Sequence, residues 1–125
     1  MPFSICHHST DLINNLNQLR LSEFFLSANG KYLEKPYHNA LHGADVCQAV
    51  HVFLLGSDKC STGMAQLLEP WQVMVALVAA LCHDIGHGGV NNAFLQKTKH
   101  PLALTYSYSS TLERMHCAEV IHSTR

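Results

Sequence analysis

Two short segments hold the side chains best suited to chemistry. The first, residues 37–45, reads Tyr-His-Asn-Ala-Leu-His-Gly-Ala-Asp and contains His38, His42 and Asp45. On a helix His38 and His42 would lie on one face, one turn apart, and Asp45 would share that face. The second, residues 83–92, opens on His83-Asp84 and continues through His87 to Asn91-Asn92, with Gly86, Gly88 and Gly89 between. Its His-Asp pair ends an almost wholly apolar run. Burying an imidazole and a carboxylate there is costly unless something satisfies them. A divalent metal does so directly, because neutral imidazole and carboxylate are both good ligands. The glycines loosen the backbone at the helix end, so both side chains can turn toward one ion. The competing reading is a helix end with His83 against the dipole. An H-x-x-x-H spacing alone is weak evidence; the two segments together are stronger.

Five helices account for the positioning of these residues. The first is expected from Thr10 or Asp11 to Leu26, with Leu12, Leu16, Leu19 and Glu23 at helical spacing and Asn29-Gly30 as its stop. A second spans 37–55 and ends at Gly56. Residues 57–63 read as a polar surface loop. The third starts at Glu69-Pro70, with proline suited to a first turn, and runs to His83 or Asp84. Its stretch 73–82 is apolar on every face, which implies burial on most sides within a larger helical assembly. A short helix follows over 91–97. The last begins near Ser109, where Ser109 or Ser110 with Glu113 resembles a capping box. No period-2 strand pattern stands out, so the fold class is all-α.

The bulk properties narrow the function. The chain has 125 residues, 47% hydrophobic and 14% charged, with a formal net charge of −1 and ten histidines. There is no basic excess for nucleic acid and no polybasic block for a membrane surface. The longest apolar run is about half of the ~20 residues that a membrane span needs. The N-terminus lacks the pattern of a signal peptide. Cys6, Cys47, Cys60, Cys82 and Cys117 are odd in number with no C-x-x-C pair. They read as reduced thiols of a cytoplasmic protein.

The ordered set Tyr37-His38-Asn39, His42, Asp45-Val46, then His83-Asp84, His87, Gly89 and Asn92 resembles the paired signatures of the class I 3′,5′-cyclic-nucleotide phosphodiesterases. These belong to the wider HD-domain metallohydrolase superfamily. The likeness continues through Asn92-Ala93-Phe94-Leu95, Pro101-Leu102-Ala103-Leu104 and residues 109–113, and covers roughly 37–120. It implies an all-α catalytic domain, hydrolysis of cAMP or cGMP to the 5′-monophosphate, and two divalent ions, zinc with magnesium or manganese. It assigns His42, His83 and Asp84 as zinc ligands, with Asp84 bridging to the second ion. His38 matches the general acid, and His87 lines the second-metal site through water. Glu113 and His116 match residues that hold the acid and the water shell, Asn92 a substrate-proximal or structural amide, and Tyr37 a residue that binds substrate or supports the ligands from behind. The substrate is the only partner required; a homodimer is compatible.

The chemistry supports this division of labour. A cyclic phosphodiester is an anion and resists hydroxide. Two cations neutralise it and lower the pKa of a shared water. The leaving 3′-oxygen needs a proton, a task that suits histidine near pH 7. If those residues converge, the donors of His42, His83 and Asp84 should lie within about 3–5 Å of a common point.

Departures from the pattern are local and terminal. Ser107-Tyr108 replaces the Asn-Asp often found before the serines, and Met115 replaces the first of two histidines. The family pattern also expects an aspartate ligand and a purine-gripping glutamine beyond Arg125. The chain thus reads as an N-terminal part of such a domain, with an open half site of weak or no activity alone and an apolar third helix left partly uncovered. The alternatives are an inactive interaction module and another HD-type nucleotide phosphohydrolase.

Overall fold

A computed structural model describes residues 18–56 and 63–123. Among these residues it is helical with no strand. Six α-helices occur in the order α1 Gln18–Gly30, α2 Ala40–Leu55, α3 Pro70–Cys82, α4 Asn92–Lys97, α5 Pro101–Thr105 and α6 Thr111–His122, with a 3₁₀ turn at Met64–Leu67 before α3. The strongest pairing is α2 against α3. The expected start of the first helix and most of the 57–63 loop lie outside the described residues. The described part of α1 runs on to Gly30, four residues past the expected end at Leu26.

The start of α2 corrects an expectation. Helix begins at Ala40, not Tyr37, because Asn39 caps it. The Asn39 carboxamide oxygen accepts from the Leu41 and His42 amides at 3.0 and 3.2 Å, and its Nδ2 donates to the Lys35 carbonyl at 2.8 Å. These bonds satisfy two of the donors that a helix start leaves open. Tyr37 and His38 therefore sit in the bend before the helix, and His38 and His42 do not share a helical face.

For α3 the sequence signals hold. Glu69 and Gln72 form a reciprocal capping box and Pro70 is the first helical residue. The helix stops at Cys82, so His83 and Asp84 lie in the turn that follows. That turn is anchored by Ile85, which is fully buried with Cys82 and Ala28 and flanked by Phe24, Tyr32, Val78, Leu81 and Val120. Burying one such side chain contributes about 1.5–3 kcal/mol. Gly86 closes the turn at φ +73, where L side chains are strained, and its amide donates to the Lys31 carbonyl at 3.2 Å. Much of the rest of α3 is not covered: Trp71 and Val75 are about half exposed. Met74, Val75, Val78 and Ala79 form one wall of an open cavity of about 550 Å³, with Cys117 and Val120 of α6 opposite.

A second core cluster, Leu95, Ala103, Leu112 and Met115, ties α4, α5 and α6 together. Helix α5 lacked a counterpart among the expected elements. Its local signal is Pro101 at the first position, with His100 Nδ1 accepting from the Leu102 amide at 3.2 Å. The capping box expected at the start of α6 does not form. Ser110 adopts a left-handed backbone and makes no side-chain cap. Asn92 supplies the cap instead: its Oδ1 accepts from the Leu112 amide at 3.0 Å.

The loop before α6 holds Ser107 at φ 51, Tyr108 at φ 57 and Ser110 at φ 43. Left-handed backbone costs most L-residues roughly 1–2 kcal/mol, and Asn and Asp tolerate it best. The Ser107-Tyr108 departure thus falls where Asn-Asp would fit. The double change Ser107→Asn, Tyr108→Asp is expected to stabilise the fold by about 1 kcal/mol. Chemical denaturation measures it; an unchanged or lower midpoint contradicts the strain.

Candidate metal centre

Asp84 is the hub of the site. Its Oδ2 lies 3.1 Å from His83 Nε2 and 3.4 Å from His42 Nε2, and its Oδ1 lies 3.8 Å from His116 Nε2. The carboxylate is mostly buried, with a side-chain exposure of 14%. The donor atoms of His42, His83 and Asp84 all lie within 4.8 Å of one another. Three elements supply the four residues: α2 gives His42, the turn after α3 gives His83 and Asp84, and α6 gives His116.

The hydrogen bonds fix which nitrogens face Asp84 with a lone pair. His83 Nδ1 lies 2.9 Å from the Ala80 carbonyl oxygen, and His116 Nδ1 lies 2.7 Å from that of Ile85. A carbonyl oxygen only accepts, so both Nδ1 atoms carry protons. In neutral imidazoles the Nε2 atoms then carry lone pairs, and these face carboxylate oxygens. Lone pair against lone pair is repulsive unless a cation, proton or metal, lies between. Spacing favours a metal: ligand atoms about 2.0–2.2 Å from a tetrahedral zinc stand roughly 3.3–3.6 Å apart, close to the separations here. The donor set therefore fits a divalent ion.

His87 differs. Its Nδ1 accepts from the Gly89 amide at 3.0 Å, so in the neutral ring the proton sits on Nε2. That leaves His87 a donor toward the space beside Asp84 rather than a direct ligand. Burial, and then the neighbouring His38, push its pKa below the ordinary histidine value and favour the neutral ring, although the Asp84 carboxylate pulls the other way. The His87 ring stacks on His38 with centroids 3.7 Å apart and faces His116 at 5.6 Å. Tyr37 packs its ring on both His38 and His42, at 4.9 and 4.5 Å.

The remaining expected residues are placed as follows. Asn92 sits at the start of α4, where its Nδ2 donates to both Glu113 carboxylate oxygens, at 3.0 and 3.3 Å. Glu113 is held below the usual carboxylate range by its own backbone N–H, then by Asn92, with a smaller contribution from His116. Among the described residues no ion pair joins Glu113 to His38; its carboxylate faces Asn92. Asp45 is exposed on α2 and lines an open cavity with Tyr37, His42 and Phe53. Sequence reasoning did not single out Tyr32, whose hydroxyl donates to the Leu81 carbonyl 49 residues away.

Known proteins match most of this chain. Residues 37–125 match the family model described as 3′5′-cyclic nucleotide phosphodiesterase. A dual specificity calcium/calmodulin-dependent 3′,5′-cyclic nucleotide phosphodiesterase 1B of Bos taurus is 43% identical over 91 residues, covering 73% of this chain. A 3′,5′-cyclic-AMP phosphodiesterase 4C of Rattus norvegicus is 40% identical over 99 residues, covering 78%. A cGMP-specific 3′,5′-cyclic phosphodiesterase delta of Plasmodium falciparum is 37% identical over 109 residues, covering 84%. The aligned part is 16%, 18% and 12% of those proteins' own lengths, respectively. No helix among the described residues is long and apolar enough to cross a membrane. The match spans the two histidine-rich segments and the helices that carry them, and the chain belongs to the 3′,5′-cyclic nucleotide phosphodiesterase family.

Proposed function

We propose that this protein hydrolyses a 3′,5′-cyclic nucleotide, cAMP or cGMP, to the 5′-monophosphate, and so terminates a cyclic-nucleotide signal. The observation that carries the reading is the Asp84 hub, where the imidazoles of His42, His83 and His116 surround one carboxylate. His42, His83 and Asp84 would hold zinc. The other Asp84 oxygen, with His116 and the donor face of His87, would border magnesium or manganese. When bound, the two ions would neutralise the phosphodiester and lower the pKa of water.

The chain's own residues do the rest. His87 donates from Nε2 and orients an anionic oxygen beside Asp84. His38, stacked on His87 and flanked by Tyr37, supplies the proton to the departing 3′-oxygen as hydroxide attacks phosphorus in line. The Asn92–Glu113 bonds tie the start of α4 to α6, which brings His116 to the site.

The test is a hydrolysis assay of the chain with zinc and magnesium, on cAMP and on cGMP, with the 5′-monophosphate quantified. Metal-dependent turnover is expected, slow because the cavity beside His83 and His116 is open to water and screens the charges. Turnover equal to that of the metal-stripped chain on both substrates would sink the proposal.

A further inference from the structure

We propose that Tyr32 is a positioning residue of the metal centre, a strut that sets the distance between His42 on one helix and His83-Asp84 at the end of the next. Its hydroxyl donates to the Leu81 carbonyl at 2.8 Å, in the last turn of α3. Leu81 lies two residues before His83. The same hydroxyl stands over Gly43, the neighbour of His42: a Cβ built there would meet Tyr32 Oη at 2.5 Å and the Leu81 carbonyl oxygen at 2.8 Å. The phenol tip is thus wedged between α2 and α3 at Gly43 and Leu81, one residue from His42, two from His83 and three from Asp84. Glycine at 43 is required because no side chain fits between the two helices and the phenol.

The rest of Tyr32 is built in firmly. The side chain packs on the cluster of Ala28, Cys82 and Ile85, and Ile85 follows Asp84 directly. The Tyr32 amide donates to the Asn29 carbonyl at 3.2 Å, and the preceding carbonyl, of Lys31, accepts from Gly86. The Lys31 ammonium donates to the Glu119 backbone carbonyl at 2.8 Å and carboxylate at 3.0 Å, which brings α6 to the same linker. Burial pushes the Tyr32 phenol up to about 12, so the donor keeps its proton at physiological pH. The linker between α1 and α2 therefore touches each element that supplies a side chain to the Asp84 hub.

The consequence concerns spacing, not chemistry. Partners that orient ligands typically change metal affinity or activity by about 10–100-fold when removed. Tyr32→Phe keeps the ring and its packing and deletes only the hydroxyl, so about 10-fold weaker zinc binding is expected at the low end of that range. Helix content should stay constant.

The inference rests on the metal centre proposed above, and one set of titrations separates the two. Zinc affinity is measured by chelator competition in the full chain, and the absorption bands of the cobalt(II)-loaded chain report ligand geometry. Tyr32→Phe is expected to weaken zinc and alter the cobalt bands. Gly43→Ala keeps the Tyr32 hydroxyl in the sequence but drives a Cβ into it and into the Leu81 carbonyl, so it displaces the contact from the other side and should weaken zinc further. Leu95→Ala, in the separate core cluster, is expected to lower the thermal midpoint and leave the cobalt bands as in the unsubstituted chain. Unchanged affinity and bands in Tyr32→Phe overturn the strut while leaving the metal centre standing. Equal zinc loss in Leu95→Ala and Tyr32→Phe also overturns it, since the loss would then follow stability. An unsubstituted chain that binds no zinc overturns the metal centre and the strut together.

Discussion

Asp84→Ala is expected to abolish both zinc binding at micromolar metal and turnover, the largest effect of any single change in the site. The reason is geometric. Both carboxylate oxygens are committed, Oδ2 toward His42 and His83 and Oδ1 toward His116. Removing the carboxylate leaves neutral imidazoles with no counter-charge for a dication. The loss in metal affinity should exceed the 10–100-fold typical of an outer partner, because a direct ligand is gone. Asp84→Asn is the sharper control: it keeps the size and one oxygen but loses the charge, and should also fail. The fold should survive, since the turn is anchored by fully buried Ile85 rather than by Asp84. Zinc content by atomic absorption and helix content by circular dichroism check the two halves. An Asp84→Ala protein that retains stoichiometric zinc would refute the hub.

His38→Ala is expected to do the reverse: zinc retained, turnover reduced about 10²–10⁴-fold, the usual contribution of general acid catalysis. His38 is not among the grouped donor atoms, and its contacts are the rings of His87, Tyr37 and His42. A substrate whose leaving group needs no proton isolates the role. With a nitrophenyl phosphodiester the deficit should shrink markedly, because the departing phenolate is already stable. A deficit of the same size on both substrates, or zinc lost with His38, would remove the proton-donor assignment.

Contrasts between particular residues show which parts of the site were legible in the sequence. His83 and Asp84 stood out because a His-Asp pair at the end of an apolar helix has few inexpensive explanations, and the matched segment added His42. The structure groups their donor atoms within 4.8 Å. The helical face shared by His38 and His42 was not, because the Asn39 cap delays α2 until Ala40. A cap residue one position before a helix competes with any periodicity argument that runs through it. The start of α6 misled for a related reason. Ser110 and Glu113 have capping-box spacing, yet the cap comes from Asn92, 20 residues upstream of the Leu112 amide that it serves. No local pattern announces a tertiary cap. Tyr32 was invisible for the same reason, since its partner is a backbone carbonyl 49 residues away.

The uncovered face of α3 was foreseeable. A helix apolar on all sides needs partners on all sides. Within the described residues α2 covers one side, and the wall formed by Met74, Val75, Val78 and Ala79 stays open toward α6. The same cavity reaches His83, Glu113 and His116, so whatever closes it would also exclude water from the metal centre.

The central claim is that one ion sits among His42, His83 and Asp84, and anomalous diffraction at the zinc edge from zinc-soaked crystals tests it most directly. The account predicts a peak about 2.0–2.2 Å from His42 Nε2, His83 Nε2 and an Asp84 carboxylate oxygen. A map with no peak at that position, or with zinc bound only at surface histidines such as His51 or His122, would contradict it.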